Sequence, residues 1–329
     1  MPSATQTLPF SSLSDPGVRP PHDLVPSRYA LRVGEIDALV ISDGVLPLPT
    51  ATMATNADPA DLARWLQYMF MPPDAFDWPL NVMVARSGDQ TILIDAGLGG
   101  QFPGFPRAGQ LPQRLEDAGI ALESVTDVII THMHMDHVGG LLVDGVKERL
   151  RPDVRIHVSA TEVAFWTSPD FSHTVMPKPV PAVLRSTAAS FYNEYRDRLR
   201  IFQDRHEVAP GVVVRITGGH TPGHSVVDLI GDDERLTFAG DAIFPVGFDH
   251  PDWHNGLRAR PRGIRPRAAP SFPGTGAEPR AAGGRPSAVP LRRPGGDRWR
   301  RLSLGAGHLG LLTAPALPFR RCSSNSTPL

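Results

Sequence analysis

The stretch "THMHMDHVGG", Thr131–Gly140, places three histidines and an aspartate within six positions. It follows a β-branched run, "VTDVIITH" at 125–132, so its first histidine falls at a strand end. Alternate residues of an extended segment point the same way, which lets His132 and His134 face one cation. The turn that follows lets Asp136 and His137 face a second. Neutral imidazole and carboxylate together suit Zn²⁺, and a histidine-dominated set with an open position is the catalytic kind of zinc site.

Such a cluster needs further donors, and the chain supplies them downstream. "GGHTPGHS" sets His220 just after the strand expected at 211–218, with glycines that allow close backbone approach. "RLTFAGD" ends on Asp241, a carboxylate whose two oxygens can each reach one ion. His224 reads as a turn residue or as support for the ligands.

Around these motifs, strands are expected at 36–42, 80–86, 91–97, 125–132, 154–160, 211–218, 225–231 and 235–241, and helices at 59–69, 109–118, 160–167 and 180–204. Asp58 and Pro59 mark the first helix start. Helices recurring between strands favour a mixed α/β layer architecture over an all-β sandwich. Residues 1–30, rich in Pro, Ser and Asp, read as an irregular leader, and 31–256 as one domain.

The remainder differs in kind. Residues 257–329 hold 14 Arg, no Lys, two acids, 11 Pro and 10 Gly, a local charge of +12, whereas the whole chain of 329 residues carries only −1. That composition predicts disorder. Its arginines form no stripe, so nucleic acid is not an expected partner. The single Cys322 excludes an intrachain disulfide and fits a reducing compartment. No apolar run is long enough for a membrane span, so a cytoplasmic protein is expected.

In its order of HxHxDH, HTPGHS and a later GD, the chain over about 30–256 resembles the metallo-β-lactamase-fold hydrolases. "MFMPPDAFDWPLN" and "FAGDAIFPVGFDHPDW" are similar to the branch holding lactonases and methyl parathion hydrolase-like enzymes. The resemblance implies a four-layer αββα sandwich with two zinc ions at one edge of the sheets. His132, His134 and His220 would hold the first zinc, Asp136 and His137 the second, and Asp241 would bridge. It implies a metal-bridged hydroxide that attacks a lactone or ester, with phosphotriesters as a further class and Asp136 also orienting the nucleophile. Phe70, Phe76, Trp78 and Trp253 are candidates for an acyl-accepting pocket. A small-molecule substrate and a possible homodimer are expectations that rest on the same resemblance. Competing readings are a mononuclear iron enzyme of the sulfur dioxygenase kind and an inactive family member.

One family feature is missing. Members complete the second zinc with a later histidine, often in "HLPFP", and no such residue follows Asp241 here; His250 and His254 come too early and His308 lacks the surrounding pattern. Codons allowed for 257–295, read one base later with wobble bases freely chosen, can yield a helical period followed by a β-run ending "AHLPFPSVG". The tail is therefore expected to be a frameshifted reading, leaving the domain without its last strand and helix.

Overall fold

The computed structural model describes residues 27–172, 174–258, 300–304 and 307–315, the last two as backbone only. The chain opens with β1 (Arg28–Val33) and β2 (Ile36–Pro49), followed by α1 (Pro59–Tyr68), β3 (Ala75–Ser87), β4 (Gln90–Ile94) and α2 (Leu111–Asp117). Next come β5 (Asp127–Ile129), α3 (Met135–Val138), α4 (Val146–Arg149), β6 (Arg155–Ser159), α5 (Ala160–Thr167) and α6 (Pro179–Tyr195). The second half runs β7 (Leu199–Phe202), β8 (Arg205–Ala209), β9 (Val212–Ile216), β10 (Ser225–Ile230), β11 (Glu234–Phe238), α7 (Val246–Asp249), β12 (Arg300–Leu304) and β13 (Gly307–Pro315).

Two sheets result. The first has seven strands in sequence order, β1 to β7, antiparallel as far as β4 and parallel from β4 to β7. The second has six antiparallel strands in the order β12-β13-β11-β10-β9-β8. Successive strand residues face opposite sides, and here both sides of the first sheet are apolar. Met83, Ala85, Ile92, Ile94 and Ile129 turn inward to meet Val212, Val214, Val227, Leu229 and Phe238 of the second sheet. Val82, Val84, Leu93, Val128 and Ile156 turn outward against helices.

That outer layer is built chiefly by α2 and α6. In α6, Leu184, Ala188, Phe191 and Tyr195 recur at helical spacing and are all buried. Pro179 stands at its start, where a missing N–H costs nothing. Helix α1 begins as expected, with Asp58 Oδ1 accepting the N–H groups of Ala60 and Asp61. It packs with α7 through Leu62, Trp65, Leu66, Phe244 and Val246, and Trp65 Nε1 donates to Asp249 Oδ2 at 2.9 Å.

Three expectations need correction. The helix expected over 180–204 ends at Tyr195, because Leu199–Phe202 pairs in parallel with β6 and Arg205–Ala209 pairs with β9. Edge pairing outweighs local propensity there. The leader ends before 30, since Arg28–Ala30 already belong to β1. Within the tail expected to be disordered, 300–304 and 307–315 form a hairpin whose second strand pairs with β11 from Glu234↔Pro315 to Phe238↔Leu311. Leucine runs on either side of "GAG" make that hairpin possible, and the open edge of β11 supplies a template for it. The rest of the leader and of the tail lies outside the described residues.

Candidate metal centre

Four loops meet at one edge of the sandwich. β4 and β5 are parallel and end there. β9 and β11 end there too, since each pairs antiparallel with β10 and so they run in the same direction. Chain direction alone thus gathers Asp95, residues 131–138, the 217–224 loop and Asp241.

Glycine permits the close fit. A Cβ on Gly140 would lie 1.9 Å from the Ala96 carbonyl oxygen, so the turn after His137 can seat on the 95–98 loop only without a side chain. Backbone bonds then tie the parts together: Ala96 N–H to His137 O at 2.8 Å, and Ser225 N–H to Thr131 O at 2.9 Å.

The histidines converge. One ligand atom each from His132, His134 and His220 lies within 4.8 Å of the others, and the same holds for His132, His137 and Asp241. His220 Nε2 and His134 Nδ1 face each other at 2.9 Å. Asp241 stands between the two groups: Oδ2 is 3.2 Å from His220 Nε2 and 3.9 Å from His132 Nε2, while Oδ1 is 3.6 Å from His137 Nε2. Asp136 Oδ2 also lies 3.6 Å from His137 Nε2. All six residues singled out from the motifs are therefore brought to one place.

Protonation follows from the neighbours. Burial, reinforced by surrounding histidines, pushes His132 and His220 well below the usual imidazole range, and burial brings His134 down to about 3. These rings are neutral, with lone pairs available. Burial also works against charge on His137, but Asp95, Asp136 and Asp241 outweigh it and raise its pKa. Asp241 is pushed up to about 7, first by burial, with His137 opposing and Asp136 and Asp95 adding to the rise.

This donor set fits divalent cations. Neutral imidazoles crowd together on one side and three carboxylates meet round one histidine on the other, an arrangement that positive ions would relieve. His132 Nε2 is buried without a hydrogen-bond partner among the described residues, as a ligand atom would be.

Two supporting residues were not singled out from sequence. Asp95, buried at the end of the "TILIDAG" run, has φ of +59°, and its Oδ2 sits 2.7 Å from His137 Nδ1. It also accepts the Thr131 N–H and hydroxyl, both at 2.8 Å. A strand-end Asp beside glycine was the available signal. Glu162, buried within α5, touches both histidine loops and had none. His224 supports rather than binds: its Nε2 accepts the Asp241 N–H at 3.0 Å.

The proposed pocket residues separate. Trp78 packs between Phe76 and Phe244, at 5.4 and 4.8 Å between ring centroids, and Phe244 reaches to 6.0 Å from the His220 ring. Trp253 joins the same cluster and stacks on His250 at 3.8 Å. Phe70 is 96% exposed, with φ of +54°, and forms no part of this wall.

Among known proteins, the chain is 26% identical over 164 residues to the N-acyl homoserine lactonase AiiB of Agrobacterium fabrum, covering 45% of this chain and 56% of that one. It is also 26% identical over 161 residues to a hydroxyacylglutathione hydrolase of Nitrobacter hamburgensis, covering 48% of this chain and 45% of the relative. The chain thus spans about half the length of these curated relatives. In fold it is similar to AidC, described as a dizinc quorum-quenching lactonase, with TM-score 0.64, 23% identity and coverage of 71% and 81% of the two chains. The hydrolase AbOPH is comparable, at TM-score 0.61 and 24% identity, covering 72% and 82%. The model of the metallo-beta-lactamase superfamily matches residues 76–300, more than half of the chain, and the protein belongs to that superfamily.

Proposed function

We propose that the chain is a zinc-dependent hydrolase that cleaves a lactone or ester. The observation that carries this reading is the position of Asp241, one oxygen facing the His132/His220 group and the other facing His137. That is the arrangement two neighbouring cations need. His132, His134 and His220 would hold the first ion, Asp136 and His137 the second, and Asp241 both. Bound there, the ions supply Lewis acidity toward the electrophilic oxygen and bring the pKa of water towards about 7.

The chain's own groups do the rest. Asp95 receives the Nδ1 proton of His137 and leaves its Nε2 free. Thr131 accepts from His132 Nδ1 at 3.1 Å, which aims His132 Nε2 into the site. Asp136 can hold a hydrogen bond from the attacking water and orient it. Trp78 and Phe244 offer an apolar wall that shields the reacting group from bulk water. The apolar wall of Trp78 and Phe244 suits neutral carbonyl compounds such as lactones and esters. The partial likeness to AiiB supports lactones within that class. A small-molecule partner and a cytoplasmic location belong to the same reading; among the described residues no helix is long and apolar enough to cross a membrane.

The test is turnover by purified chain loaded with zinc, against lactones, aryl esters and phosphotriesters. Lactone or ester cleavage that disappears with a chelator and returns with zinc is expected. Full zinc with no turnover of any class would sink the proposal, and oxygen consumption with bound iron would replace it.

A further inference from the structure

The histidines sit on two loops far apart in sequence, 131–138 and 217–224, and a third element stands between them. We propose that Glu162 of α5 is a positioning residue that clamps these loops at the spacing metal binding requires, an inference that rests on the metal-site reading above. Its Oε1 accepts the N–H of Met133, the residue between His132 and His134, at 2.9 Å. Its Oε2 accepts the Thr221 hydroxyl at 2.6 Å and the Gly223 N–H at 3.1 Å, both within four residues of His220. Oε1 takes a fourth bond, from Trp166 Nε1 at 2.7 Å, and the Trp166 ring lies edge-on to His134 at 5.8 Å between centroids. One carboxylate thus touches the loop of each histidine and the ring packed against one of them.

The local sequence offered this glutamate an easier role. Ser159 caps α5, with its Oγ accepting the Glu162 N–H at 3.1 Å. In a reciprocal capping box, a glutamate three residues after the cap returns to the cap's own N–H. Glu162 turns inward instead, to full burial with no ion pair among the described residues. Burial raises its pKa, with the four donors working the other way. A buried carboxylate without a cation beside it is costly, so its retention calls for a return elsewhere. Backbone shape is adapted to it as well: a Cβ on Gly223 would fall 2.1 Å from the Glu162 nitrogen, so the second loop reaches the clamp only because position 223 lacks one.

All four partners are donors, and both oxygens must accept. Glu162→Gln keeps the shape but turns an amide N–H toward a donor on one loop or the other. The loops then part while the core stays filled.

The experiment is zinc titration of the full chain against a competing chelator, with thermal melts of the metal-free protein alongside. Glu162→Gln is expected to weaken zinc binding roughly 10- to 100-fold, the range typical of losing support around metal ligands. Tyr195→Phe, which removes a buried hydroxyl bond to Leu141 O and none of the four bonds to Glu162, is the stability control and should bind zinc within about twofold of wild type. Thr221→Val should weaken zinc by itself and add little on top of Glu162→Gln, since both break the same bond. Unchanged zinc affinity in Glu162→Gln, or a loss no larger than in Tyr195→Phe, overturns the clamp. If Glu162→Gln fails to fold, Trp166→Phe removes one donor with the carboxylate in place; a severalfold weaker zinc affinity supports the clamp and none overturns it. Wild type that binds no zinc removes the metal-site reading itself, a failure distinct from a clamp that does not matter.

Discussion

At the scale of single residues, Asp95 decides which nitrogen of His137 is available. With Nδ1–H held by the carboxylate, Nε2 is the nitrogen left facing Asp136 and Asp241, the one that would give up its proton to take an ion. Asp95→Asn offers an amide that can hold either tautomer, and hydrolysis or metal affinity is expected to fall about 10- to 100-fold in steady-state rates or chelator competition. Asp43 gives a separate test. It is fully buried and accepts N–H groups from Leu98, Gly109 and Leu111, yet burial outweighs these bonds and pushes its pKa up to about 6. Between the ordinary 3.8 and that value the folded chain keeps a proton that the unfolded chain has lost. Its contribution therefore favours folding most below pH 4 and declines as pH rises to 6, by something on the order of 3 kcal/mol. Wild type should lose stability relative to Asp43→Asn across that window in denaturant melts, and parallel pH profiles would refute the assignment.

At the scale of elements, the metal loops were legible because ligand chemistry writes itself into short motifs. His132, His134, Asp136, His137, His220 and Asp241 needed only their spacing and the strands before them. Asp95 and Glu162 act through other residues, and only the strand-end place of Asp95 beside glycine set either of them apart in the sequence. Strands with buried faces at 80–86 and 225–231 were clear from their β-branched runs. Leu199–Phe202 was read as the end of a helix and Arg205–Ala209 was assigned to no element, since four- and five-residue strands alternate too briefly to stand out beside a long amphipathic run. Phe70 was misread for a related reason: aromatic character says nothing about which way a residue in a left-handed turn points. The turn after His137 is the least forgiving element. Gly140→Ala must push the Ala96 carbonyl aside, and a loss of about 2–4 kcal/mol is expected in urea melts. Hydrogen exchange tests the β11–β13 ladder. β11 amides are expected to exchange more slowly in the full chain than in one ending at Arg258; equal rates would show that the hairpin does not dock.

For the whole molecule, the architecture and the tail pull in different directions. The first sheet, four strands of the second and the six candidate ligands are all in place by residue 258. The residues that follow are arginine-rich, and the late histidine that the family places on the second ion is not found at its expected place. A frameshift near codon 257 accounts for both, and sequencing the encoding DNA should reveal a single-base shift that opens a frame with the missing histidine. Without that ligand, the two metal positions should differ in strength, with His132, His134 and His220 holding the tighter one. The most direct measurement is elemental analysis of zinc-equilibrated protein after dialysis, for wild type and Asp241→Asn. The account predicts one firmly held zinc per chain and a second that dialyses away more readily, with both reduced in the variant. Zinc-free wild type, or a variant retaining as much zinc as wild type, would contradict it.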